Sequence, residues 1–140
     1  QTKLRARRNG IDIIERKVIE GSKTIKRLKD SADRLLLDVP CSGLGVLRRN
    51  PDTKWKLSPE SIAKVQEAQQ EILQSYPSML KKGGQLVYAT CSILPSENEQ
   101  QVKKFLASEA GKDFELLEEQ KVFSHQSGFD GFYIARMIRK

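Results

Sequence analysis

Apolar residues fall along this chain in two ways, as short unbroken runs and as stripes at helical spacing. Residues 1–9 read as a helix that stops at Asn9-Gly10, since glycine tolerates the left-handed conformation of a C-terminal cap. The β-branched segment 11–19 reads as a strand. Ser22 to Lys29 reads as a short helix with Ser22 at its N-cap. The run Leu35-Leu36-Leu37 does not alternate, which predicts a strand over Asp33–Asp38 buried on both faces and ended by Pro40. A loop over 43–57 follows. Ser58-Pro59-Glu60 then opens a helix with a cap, a proline at the first position and an acid at the positive end of the dipole. Its stripe is Ile62, Val65, Ile72, Leu73, Tyr76, Met79 and Leu80. Pro77 is expected to end or kink it, and Lys81-Lys82-Gly83-Gly84 to stop it. Gln85–Thr90 is a second buried-type strand. Ser96 and Glu99 have capping-box spacing before a helix whose apolar face is Val102, Phe105 and Leu106. Phe114–Glu118 and Phe132–Ile138 are the last two strands. The order α-β-α-β-α-β-α-β-β predicts an α/β fold with parallel strands and an antiparallel final pair.

Composition narrows the class. With 38% hydrophobic and 31% charged residues, the chain reads as one soluble globular domain. No stretch approaches the roughly 18 apolar residues of a membrane helix, and the N-terminus has no apolar core after its charges. Two cysteines and one histidine are too few for a disulfide framework or a structural zinc site, and a reducing cytoplasm is the expected compartment. The net charge of +7 is uneven: residues 1–54 hold 14 basic and 7 acidic side chains, while residues 55–140 hold 11 of each. A basic half suits a polyanionic partner such as nucleic acid, and equally a solvated basic helix. The chain does not begin with Met, so a piece of a longer protein is expected.

In an open α/β sheet, ligands bind beyond the carboxyl ends of the strands. Two strands deliver a cysteine there, Cys41 in Asp38-Val39-Pro40-Cys41-Ser42 and Cys91 in Ala89-Thr90-Cys91-Ser92. If the strands are neighbours, two thiols and the Asp38 carboxylate share one crevice. Asp38 ends an otherwise apolar strand, where an unpartnered carboxylate is costly. Three readings of the cysteines stand: a catalytic pair, two buried small hydrophobes, or a redox couple fifty residues apart.

The segment from Leu36 to Trp55 resembles the Asp-x-Pro-Cys segment of the Sun-type RNA cytosine-C5 methyltransferases. Lys82 to Glu99 resembles the same family's Thr-Cys-Ser segment, and Asp130 to Arg136 its final strand. The resemblance implies a Rossmann-like methyltransferase fold and transfer of a methyl group from S-adenosylmethionine to C5 of a cytosine in RNA, ribosomal RNA in particular. It makes Cys91 the nucleophile at C6 and Cys41 the residue that assists release. Asp38 would contact the cytosine edge, the cofactor or both. Pro40, Ser42, Arg48 and Arg49 are the candidate substrate contacts. Glu20 matches the family's acidic residue near the adenine. A glycine-rich cofactor loop and the first two family strands do not precede residue 11, so residues 1–140 are expected to be the C-terminal part of the catalytic domain, inactive alone. The strand at 11–19 would then lack neighbours, and a dimer or strand-swapped assembly is expected. Two rivals remain: a DNA cytosine-C5 methyltransferase, whose nucleophile lies in the Pro-Cys motif, and a non-catalytic RNA-binding module. Trp55 is expected to pack against the domain, with base stacking as its alternative. Arg5, Arg7 and Arg8 read as a wet helix face, His125 as solvated, and Met79 and Met137 as core.

Overall fold

A computed structural model describes residues 2–19 and 21–140. Glu20, the candidate adenine-side carboxylate, lies outside the described residues. The elements are α1 (Thr2–Arg8), α2 (Ser22–Arg27), β1 (Ala32–Asp38), α3 (Thr53–Lys56), α4 (Pro59–Ser75), β2 (Leu80–Thr90), α5 (Glu99–Leu106), β3 (Phe114–Val122), α6 (Ser124–Ser127) and β4 (Phe132–Arg139), with 3-10 turns at Leu44–Val46 and Tyr76–Met79. No helix among the described residues is long and apolar enough to cross a membrane.

The strands form one sheet in the order β1-β2-β4-β3. β1 and β2 run parallel, with Leu35 opposite Leu86, Leu37 opposite Tyr88 and Asp38 opposite Ala89. β4 is antiparallel to both β2 and β3, as the short connection between the last two strands requires. The longest helix, α4, forms the crossover between β1 and β2. Ser58 caps it by accepting from Ser61 N–H at 3.2 Å while its own N–H donates to Ser61 Oγ at 2.9 Å. Regular helix ends at Ser75, and Pro77 sits in the 3-10 turn that follows. One face of the sheet holds the core: Leu37, Leu86, Tyr88, Tyr133, Ala135 and Met137 pack with Leu73 of α4 and with Val102 and Phe105 of α5. Each fully buried leucine there contributes about 2 kcal/mol.

Several expectations are corrected. Residues 11–19 form no strand; Ile13 is 90% exposed and no strand of the sheet pairs with the segment. β propensity alone does not make a strand without a partner ladder. The Leu35–Leu37 run is not buried on both faces: Leu36 is 65% exposed, on the side where Val87, Ile134 and Arg136 also lie. α4 and α5 cover the opposite side. Ser22 is not an N-cap; Gly21 takes that position and Ser22 opens the helix. Lys81–Gly84 does not stop a helix but forms an irregularity inside β2, where the register jumps from Ala32–Leu80 to Arg34–Gln85 and Gly83 takes φ 76°. Ser96 and Glu99 do not form a capping box either. Asn98 is the N-cap residue of α5, without a side-chain cap, because Ser96 Oγ accepts from Gln66 at 2.9 Å and Glu99 pairs with Lys121 at 2.6 Å.

Candidate active site

The parallel register of β1 and β2 brings their carboxyl ends level. Val39 N–H continues the ladder one step further, donating to Ala89 C=O at 3.2 Å. Past that step the chains turn away, and Cys41 and Cys91 face each other with 3.1 Å between their sulfurs. Neither is fully buried and neither is in a disulfide.

A buried carboxylate lies beneath the thiols. Glu97, in the turn before α5, is 0% exposed. Its Oε1 accepts from Ser42 N–H at 2.8 Å and from Gln69 Nε2 at 3.2 Å. Its Oε2 accepts from Ser42 Oγ at 2.5 Å and from Ser92 Oγ. Gln69 Nε2 also reaches Pro40 C=O at 2.9 Å, and Tyr88 O–H donates to Glu97 C=O at 2.7 Å. Asn98 holds the second strand end: it accepts from Thr90 Oγ1 at 2.6 Å and donates to Ser92 C=O at 3.0 Å. Both Cys-Ser steps are thus bound to one turn.

The loop after Cys41 is seated by backbone contacts. Gly45 N–H donates to Cys91 C=O at 2.9 Å, and Gly131 N–H donates to Gly45 C=O at 2.7 Å. The closeness demands glycine: a Cβ on Gly45 would meet Cys91 C=O at 2.8 Å and collide with the Gly131 carbonyl. Arg49 pairs with Asp130 at 2.6 Å, and Arg48 donates to Gly128 C=O at 3.2 Å. The two arginines and Phe129 line a cavity of about 370 Å³ beside this junction.

The thiols are electrostatically unlike. The hydrogen bond from Cys41 brings the Cys91 thiol down to about 7, against burial and the negative charges of Asp38 and Glu97, which push it up. The same hydrogen bond, reinforced by burial, pushes Cys41 up. The hydrogen bond between the thiols therefore favours ionisation of one sulfur, with the shift falling on Cys91.

The sequence-predicted residues meet unequally. Cys41, Cys91 and Pro40 come together, Pro40 exposed and held through its carbonyl. Ser42 is buried and turned towards Glu97. Arg48 and Arg49 lie on the exposed surface of that loop. Asp38 is not enclosed as its apolar strand suggested: its carboxylate is exposed at the end of β1 and makes no hydrogen bond among the described residues. Trp55 does not pack on the domain; it is 80% exposed, with Lys54 Nζ 4.7 Å from its ring centroid. Sequence reasoning missed Glu97, Gln69 and Asn98. The signal for Gln69 was an amide within the apolar stripe of α4, four residues after Val65 and four before Leu73.

A family model for the 16S rRNA methyltransferase RsmB/F matches residues 3–138. The chain belongs to this family. Its relatives include the ribosomal RNA small subunit methyltransferase B of Yersinia enterocolitica, 45% identical over 115 residues, which cover 77% of this chain and 26% of that protein. Among solved structures, this chain superposes on PH0851 with a TM-score of 0.88 and 30% identity, covering 98% of this chain and 33% of the other. NSun6 from Pyrococcus horikoshii, determined with SFG, gives a TM-score of 0.81 at 26% identity over 98% of this chain and 37% of its own. The sheet and helices are therefore those of a Rossmann-like methyltransferase. The chain spans about a quarter of the length of the curated relative.

Proposed function

We propose that this chain carries the thiol chemistry of an S-adenosylmethionine-dependent RNA cytosine-C5 methyltransferase that acts on ribosomal RNA, as the C-terminal part of the catalytic domain, and that the 140 residues alone transfer no methyl group. The observation that carries this reading is the pair of thiols 3.1 Å apart at the strand ends. Cytosine C5 is a poor nucleophile. Addition of the Cys91 thiolate to C6 makes C5 enamine-like, which divides one hard step into easier ones. S-adenosylmethionine, when bound, supplies an electrophilic methyl group. A base, water included, must then take the C5 proton, and the pair it leaves re-forms the C5–C6 double bond and expels the Cys91 thiolate. Cys41, as S–H donor to that sulfur, stabilises the thiolate as it departs and so assists release. Asp38 would hold the cofactor or the base edge: an open carboxylate at the end of β1 suits cationic and hydroxylated groups and charge that develops on the ring. Pro40 and Ser42 shape the floor beneath the base, and Arg48 and Arg49 would meet phosphates. The target base has to be unstacked to reach the crevice.

The test uses Cys41→Ala and Cys91→Ala in the full-length protein, incubated with ribosomal RNA and S-adenosylmethionine. Cys41→Ala is expected to accumulate a covalent RNA adduct and Cys91→Ala to form none. An adduct only through Cys41 would assign the nucleophile to the Pro-Cys motif, as in the DNA enzymes. No adduct in either variant would favour a non-catalytic RNA-binding module.

A further inference from the structure

We propose that Glu97 is a positioning residue of this site, a clamp that ties the two Cys-Ser steps together and so keeps the Cys41 thiol within hydrogen-bond reach of Cys91. As a role in catalysis this rests on the reading of the cysteines given above; the geometry stands apart from it. A carboxylate has about four lone-pair sites, and Glu97 fills them from three separate parts of the chain. Ser42, after β1, supplies an N–H and a hydroxyl; Ser92, after β2, supplies a hydroxyl; Gln69, on α4, supplies an amide N–H. Ser42 and Ser92 each directly follow one of the cysteines, and their hydroxyls lie 3.2 Å apart on the same Oε2. The sulfurs repeat that spacing one residue earlier.

Such a buried group is costly unless every lone pair is met, and a stable fold can be reached with an apolar residue instead. Here four donors meet the Glu97 oxygens and fix their position relative to both strand ends. The groups that face Cys91 are Cys41 and Asp38 from the end of β1 and Glu97 from the turn before α5; Tyr88 of β2 faces Cys41 and Glu97. Of the charged ones, Glu97 and Asp38 both raise the Cys91 thiol through space. Clamp and charge therefore predict opposite outcomes. As a mere charge, Glu97 opposes the thiolate. As a clamp it favours it, because it holds the donor that lowers Cys91.

The experiment is the pH dependence of Cys91 alkylation by iodoacetamide, followed by peptide mass spectrometry on the full-length protein, for the wild type, Glu97→Gln and Glu97→Asp. Thermal melting reports folding in parallel. Gln keeps the length and still bridges, since the serine hydroxyls can turn to accept from its amide. Its midpoint is expected at or below the wild-type value. Asp is one methylene too short to reach both serines. Its midpoint is expected to rise to the ordinary thiol range of about 8.5, slowing alkylation at pH 7 by about tenfold or more. An Asp variant that melts lower but keeps the wild-type midpoint would overturn the clamp. Should Glu97→Asp fail to fold, the Ser42→Ala/Ser92→Ala pair, which removes both hydroxyl pins and keeps the carboxylate, is expected to give the same upward shift; an unshifted midpoint there overturns the proposal equally. The titration uses neither RNA nor cofactor. Loss of the adduct with the thiol coupling intact would reject the proposed function and leave the clamp standing, and the reverse pattern would do the opposite.

Discussion

Cys41 and Cys91 were legible as a pair because each follows a strand end and each precedes a serine, and parallel strands align such ends. What the serines do was not legible. Glu97 stands in a turn with capping-box spacing around it, and nothing local separates a carboxylate that caps a helix from one that fills a buried hole; only the return of β1 and α4 to the same point decides it. Asp38 shows the reverse error. An acid at the end of a leucine run looks enclosed, yet the strand end opens to solvent. Trp55 is a further case, since a large aromatic usually packs, but here Lys54 covers one ring face and the rest is exposed. As the chain's single tryptophan, it reports on its own surroundings. If it stacks an RNA base, its emission is expected to fall when a single-stranded ribosomal RNA oligonucleotide is added. Trp55→Ala is expected to weaken binding about tenfold, since stacking is worth about 1–3 kcal/mol per base, without lowering the melting temperature. Unchanged emission at saturating RNA would rule out the contact.

At the scale of elements, α4 was the most readable part of the chain, because its cap, its first-turn proline and acid, and Pro77 at its end act locally. The segment 11–19 was misread for the complementary reason: its β-branched residues favour a strand, but a strand is made by its neighbour. Neither the irregularity at Lys81–Gly84 nor the open side of the sheet has a local signature. Leu36 reads like Leu37, but α4 and α5 cover the Leu37 side of the sheet and leave Leu36 exposed. The seating of the Cys41 loop also depends on distant backbone. Gly45→Ala sets a methyl group against the Gly131 carbonyl and the Cys91 carbonyl, so the loop must lift. Urea unfolding is expected to show a loss of about 1–3 kcal/mol, with Cys41 alkylated faster than in the wild type. Unchanged stability together with unchanged Cys41 reactivity would refute the seating role.

The α/β class and the antiparallel final pair followed from the order of elements, since short connections and parallel crossovers leave few topologies. Coverage of the sheet did not follow, because hydrophobic runs tell that a face can be buried and not what buries it. In this chain the outer edge of β1 carries no strand among the described residues, Asp38 is open, and the segment 11–19 lies unpaired. Under the proposed reading, these open features lie on the cofactor side of the catalytic domain. The purified 140-residue chain is expected to transfer no labelled methyl group from S-adenosylmethionine to ribosomal RNA under conditions where the full-length protein does so; measurable transfer would refute this. The backbone ladder from Cys91 through Gly45 to Gly131 has one more implication, for how the protein is made. Ribosomes deliver residues in order, so Cys41 and Cys91 are synthesised before Gly131 and β4. During that interval the nascent chain carries both sulfurs without the contact that seats the loop between them. The loop after Cys41 therefore gains its Gly131 contact only once the chain has been made through to β4.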